Sequence, residues 1–158
     1  MNPAEEIVKF WLQNTGYFFQ SSIRVEKGQN REIDILAMDN EGNNRKHIEV
    51  SVSIKMRDHK NTPKTRAEKF LEKFNHPKIK SEAEKKFKNG FYEKELVVGD
   101  ITLEKTDGFK EFSEHCKNLK INVIPFSKII KEVANILKEH NQLNPIIKTV
   151  QLCQRFLT

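Results

Sequence analysis

Ala4, Ile7, Val8, Trp11 and Leu12 recur at helical spacing and Gly16 follows as a stop signal, so the pattern predicts an amphipathic first helix over residues 4–14. Three stretches of strand character come next, Tyr17 to Val25, Glu32 to Met38 and Lys46 to Lys55. Turn-rich segments at 27–30 and 39–44 separate them, which predicts an antiparallel meander. From Thr65 to Lys88 the pattern is that of a long Lys/Glu-rich helix, broken or kinked at Asn75-His76-Pro77 because proline cannot continue the hydrogen-bond ladder. Glu95 to Ile101 reads as a buried strand, 108–118 as a helix with Phe109, Phe112 and Cys116 on one face, Ile121 to Pro125 as a last short strand, and Lys128 to His140 as a helix. Pro145 then opens a final apolar helix to about Leu157, which must pack on its own core or on a second copy of the chain.

The predicted order is α, β, β, β, α, β, α, β, α. No internal repeat or low-complexity linker divides it, so residues 1–158 are expected to form a single domain, with 141–158 a C-terminal helical extension. No apolar run reaches the roughly 20 residues that a membrane span requires, and the first residues lack the basic-then-apolar order of a signal peptide, so a cytoplasmic protein without a membrane partner is expected. Cys116 and Cys153 have no partner at metal or disulfide-scaffold spacing and are expected to be reduced core residues.

Charge narrows the class of partner. The formal net charge is +6 and the pI about 9.3. Residues 55–88 alone carry twelve Lys/Arg against five acids, a net +7, which leaves the rest of the chain at −1. Such a segment suits a polyanion. It equally suits a solvated helical face, and the two readings stand level. Phe70, Phe74, Phe87 and Phe91, spaced through the same region, are expected in the core rather than as base-stacking platforms.

Chemistry concentrates on the second and third strands. In the third, Ile48, Val50, Val52, Ile54 and Met56 alternate strictly with His47, Glu49, Ser51, Ser53 and Lys55, so one face is core and the other meets water or a cleft. An ordinary half-exposed strand is the commoner outcome of such alternation. Asp34, however, lies among Ile33, Ile35, Leu36, Ala37 and Met38, and a carboxylate in so apolar a stretch is costly unless paired, hydrogen-bonded or bound to a cation. Pairing with Arg31 or Lys46 would suffice. Alternatively, Asp34 and Glu49 on adjacent strands share a divalent cation whose preference for hard oxygen ligands suits two carboxylates and water; Mg²⁺ fits best. Glu5 sits on the flank of the first helix's apolar stripe and can lie near the sheet, while also complementing the helix dipole.

Ala4-Glu5-Glu6-Ile7-Val8 running to Gly16-Tyr17, then Glu32-Ile33-Asp34-Ile35-Leu36-Ala37, then His47-Ile48-Glu49-Val50-Ser51-Val52, resembles the N-terminal half of the PD-(D/E)xK nuclease superfamily, closest to archaeal Holliday-junction resolvases and Mrr-like endonucleases. The resemblance covers residues 4 to about 56, with a weaker echo from Phe109 to Ile130. It implies an α/β fold of restriction-endonuclease-like type, a mixed β-sheet with an αβββαβ core flanked by helices, and extra C-terminal helices. It further implies Mg²⁺ (or Mn²⁺) held by Asp34, Glu49 and the Val50 carbonyl, Glu5 orienting water, and hydrolysis of DNA phosphodiesters, possible action as a homodimer included.

One position departs from the pattern. Ser51 stands where the superfamily has lysine, and a hydroxyl supplies neither the cation nor the base that this position contributes. Either another cation enters, with Lys55, Lys64 or Lys69 as candidates, or the fold persists without catalysis as a nucleic-acid-binding module. Lys55, Arg57, Lys60, Lys64, Arg66 and Lys69 are the expected contacts to the DNA backbone in either case.

Overall fold

A computed structural model describes residues 2–25, 31–52, 61–99, 108–137 and 144–150. Helix α1 (Pro3–Asn14) starts where the Asn2 side chain accepts the Ala4 N–H at 3.1 Å, with Pro3 pre-set for a helical first turn and Glu5 and Glu6 complementing the dipole. It ends at Gly16, whose φ of +86° turns the chain into the sheet. Strands β1 (Tyr17–Arg24), β2 (Glu32–Asp39) and β3 (Arg45–Ser51) form the predicted antiparallel meander. The proline break divides the long basic helix into α2 (Pro63–Asn75), opened by a reciprocal Thr62/Thr65 capping box, and α3 (Pro77–Lys86). Strand β4 (Glu93–Val98), helix α4 (Gly108–Asn118), strand β5 (Ile121–Pro125) and helix α5 (Phe126–Leu137) complete the order.

The sheet has five strands in the order β1-β2-β3-β4-β5, with β4 and β5 parallel to β3, so it is mixed and open and helices lie on both faces. On the first face Ile35, Ala37, Ile48, Val50 and Val97 pack against α1 and α5. Trp11 of α1 donates its indole N–H to Glu132 of α5 at 2.5 Å, tying those two helices together. Ile147, in the helical segment 145–150, is fully buried in the same cluster. The described part of the final helix therefore covers its own core. On the second face Leu96 and Val98 meet Phe74 of α2 and Phe112 and Cys116 of α4, and Ile33 and Leu36 meet Ile79 and Ala83 of α3. Burial pushes the Cys116 thiol up to about 12, as an inert core thiol requires.

Two expectations are corrected. Strand β3 is buried on both faces, His47 to 0% and Glu49 to 1% exposure, because α2 lies across the polar side of the alternation. Phe91 is 84% exposed, although Phe74 and Phe87 are core. Lys27 to Asn30, the end of the third predicted strand with Lys55, Ile101 and the final predicted residues with Cys153 lie outside the described residues. No helix among the described residues is long and apolar enough to cross a membrane.

Candidate active site

Strands β2 and β3 pair from Met38↔Arg45 to Ile35↔Ile48, and the next rung of that register would set Asp34 opposite Glu49. At this point the side chain replaces the ladder: the Val50 N–H donates to Asp34 Oδ2 at 2.8 Å. The two carboxylates thus come together where the strands part, on a backbone that the remaining rungs hold in place. Asp34 is 8% exposed and Glu49 1%.

A cation from the helix layer meets them. Lys73, near the end of α2, donates its ammonium to Glu49 Oε2 and lies 3.8 Å from Asp34 Oδ1. On the other side, His47 Nε2 lies 2.8 Å from Glu49 Oε1, and the imidazole packs edge-to-face with Phe74, ring centroids 4.7 Å apart. Glu49 is therefore held at both oxygens, one by an imidazole and one by an ammonium.

The electrostatics follow from burial. Desolvation, and then the neighbouring Glu49 charge, raise Asp34 from 3.8 to about 6 despite Lys73 and the Val50 N–H. Glu49 is raised too, by burial, with Lys73 acting against the rise. Burial works against the Lys73 ammonium, but Glu49 and Asp34 more than offset it and raise its pKa. His47 falls to about 3 through burial and then the Lys73 charge, so it is neutral at ordinary pH. A neutral ring with its proton on Nε2 donates it to Glu49 Oε1. The Lys73 ammonium thus faces both carboxylates, and burial is the main reason Asp34 stays raised beside it.

Asp34 opens onto a cleft of about 560 Å³ whose wall includes Arg31, Glu32, Lys69, Glu72, Lys73, His76 and Ile79. Arg31, Lys69 and Lys73 border it together with Glu32, Glu72 and Asp34, so its wall carries both signs in equal number.

The residues singled out in the sequence fall into groups. Asp34 and Glu49 are brought together. Val50 contributes its N–H to Asp34, while its side chain packs in the first-face core. Ser51 is half-buried at the end of β3 opposite Val98. Glu5 does not join the pair: its carboxylate accepts Asn2 Nδ2 at 2.6 Å, and α1 belongs to the layer on the other face of the sheet. Among the described residues no three His, Cys, Asp or Glu side chains form a metal-holding group. The expected triad is thus two carboxylates, because the stripe that sets Glu5 on a helix flank does not decide which face of the sheet that helix covers.

Among the basic residues, Lys69 lines the cleft and donates to Asn61 Oδ1 at 2.6 Å. Lys64 is exposed in the first turn of α2 and Arg66 is half-buried, and neither borders the cleft. Lys55, Arg57 and Lys60 lie outside the described residues. The cation that does reach the carboxylates, Lys73, was not among the candidates, although it sits one helical turn beyond Lys69 on the same face. Lys46 is not a partner of Asp34, since it pairs with Glu95 at 2.5 Å.

Asp34 and Glu49 offer hard-oxygen donors of the kind that suits a Mg²⁺ or Mn²⁺ ion completed largely by water, which is how Mg²⁺ is commonly held. Comparison with known proteins returns no match: no family model, no curated protein and no solved structure aligns significantly with the chain.

Proposed function

We propose that this chain is a Mg²⁺-dependent DNA endonuclease of restriction-endonuclease-like type that hydrolyses phosphodiester bonds, with Asp34 and Glu49 as metal ligands and Lys73 in the role of the missing motif lysine at Ser51. The observation that carries this reading is the buried Asp34–Glu49 pair, met by an ammonium from α2, at the edge of an open cleft. A buried carboxylate pair with Asp34 raised is of the kind that occurs at functional sites, which supports this reading. When bound, the divalent ion stabilises charge on the phosphoryl oxygens and lowers the pKa of water.

The chain's own residues supply the rest. Val50 N–H and His47 fix the two carboxylates in orientation. Lys73, already beside both, exchanges a carboxylate for a non-bridging phosphate oxygen when DNA enters and offsets charge that grows in the transition state. Arg31 and Lys69, farther along the cleft wall, meet flanking phosphates and fix the position of the strand without reading bases.

A second reading has its own observation. The Lys73–Glu49 ion pair occupies one donor of the would-be ligand set, and Glu5 stands apart, as in a scaffold kept for nucleic-acid binding after catalysis is lost. Incubation of linear and branched DNA with Mg²⁺ or Mn²⁺ separates the two. Cleavage by the wild type that falls by about 10²-fold or more in Asp34→Asn supports the nuclease. Cleavage that survives the substitution refutes this site, and salt-sensitive binding without cleavage favours the binding module.

A further inference from the structure

A second cleft, of about 610 Å³, lies between the C-terminal half of α4, the edge strand β5 and the residues leading into β4. It is separate from the carboxylate site in its lining, which includes Phe91, Lys94, Ser113, Lys117 and Lys120, with Glu93 the acidic side chain among them. Lys117 and Lys120 are exposed, and Lys94 is steadied by Asn75 Oδ1 at 2.6 Å.

Phe91 is 84% exposed, yet the turn that presents it is firmly built. The Asn89 N–H donates to the Glu84 carbonyl at 2.7 Å and the Gly90 N–H to the Phe87 carbonyl at 3.0 Å. Lys88 and Asn89 both take positive φ to close α3. Arg45 reaches across from β3 to donate to the same Phe87 carbonyl at 3.0 Å, and its guanidinium fills the space a Cβ on Gly90 would need. A well-bonded turn thus presents a phenyl ring to water at the rim of a cleft bordered by three lysines and one glutamate.

We propose that this cleft binds single-stranded nucleic acid, with an unpaired base stacked on Phe91 and the adjoining phosphates met by Lys117, Lys120 and Lys94. An aromatic face accepts any base, and ammonium groups spaced along a groove track the backbone, which together make a sequence-tolerant site for an unpaired strand. A membrane surface is the weaker alternative, because the ring borders a concave basic groove rather than crowning an apolar projection. The inference goes beyond the nuclease reading and does not depend on it.

The test is fluorescence anisotropy of a labelled oligothymidylate with the full chain in EDTA, beside a hairpin duplex of equal charge and anionic vesicles. Phe91→Ala should weaken oligothymidylate binding about tenfold or more, and Phe91→Trp should restore it. The Lys117→Ala/Lys120→Ala double variant should flatten the salt dependence by about 1.4 in logarithmic slope. Equal affinity in wild type and Phe91→Ala, an equal loss for duplex and single strand, or Phe91-dependent binding to vesicles alone would overturn the inference, whatever the cleavage assay reports.

Discussion

Asp34→Asn should make the protein more stable at neutral pH. The rise of Asp34 from 3.8 to about 6 means that the native surroundings disfavour its ionised form by about 3 kcal/mol. Lys73 and the Val50 N–H are already counted in that balance. Between those two pH values the native state holds a proton that the unfolded chain has released, so stability falls as pH rises through about 4 to 6 and stays reduced above. Asparagine cannot ionise, and its side-chain oxygen still accepts the Val50 N–H. The variant should therefore match the wild type at pH 4 and exceed it by about 2–3 kcal/mol at pH 7.5, a gain of about 5–10 °C in Tm for a chain of this size.

Urea and thermal unfolding in EDTA at both pH values measure the difference. Mg²⁺ should then narrow the gap by stabilising the wild type alone, by about 2.7 kcal/mol at a hundred times its Kd. A variant less stable than the wild type at pH 7.5, or an offset that is the same at pH 4, would refute the view that Asp34 is held at a cost.

Three further outcomes follow from the same geometry. His47 has its pKa depressed to about 3 by burial and Lys73, so the stability it contributes is complete above 6.5 and lost as pH falls towards 3; His47→Gln, which keeps a donor for Glu49, should shift the acid-unfolding midpoint down by about half a unit or more, read by circular dichroism. Lys73→Met leaves Glu49 without its cation and should cost about 1–3 kcal/mol in urea unfolding at pH 7.5 and about 10²-fold or more in DNA cleavage. Glu5→Gln, placed away from the pair, should change stability by less than about 0.5 kcal/mol and leave cleavage rates unchanged, and a large loss of cleavage would restore Glu5 to the site.

The order of elements was legible because each follows from local rules: the Asn2 cap and Gly16 stop around α1, the strict alternation of β3, the proline between α2 and α3. Asp34 was legible for a similar reason, since a carboxylate between Ile33 and Ile35 announces its own cost. What covers the polar face of β3 was not, because alternation assigns residues to faces without naming the layer that lies on each. Lys73 was hidden among the lysines of α2, all compatible with a solvated face; only the path of α2 across the sheet selects it over Lys64 and Lys69. Phe91 misled by continuing the spacing of its neighbours past Lys86, where α3 ends and two positive-φ residues turn the ring outward. A relocated cation in place of the Ser51 position could be raised from the sequence, but not which one, for Lys73 lies 22 residues away and is one lysine among several on α2.

Anomalous diffraction from crystals soaked in Mn²⁺ probes the carboxylate pair most directly. A peak within bonding distance of both Asp34 and Glu49, with the Lys73 ammonium displaced towards the cleft and no peak in Asp34→Asn crystals, is the predicted result. Absence of manganese at this pair under saturating ion, with the Lys73–Glu49 contact intact, would contradict the assignment of Asp34 and Glu49 as metal ligands.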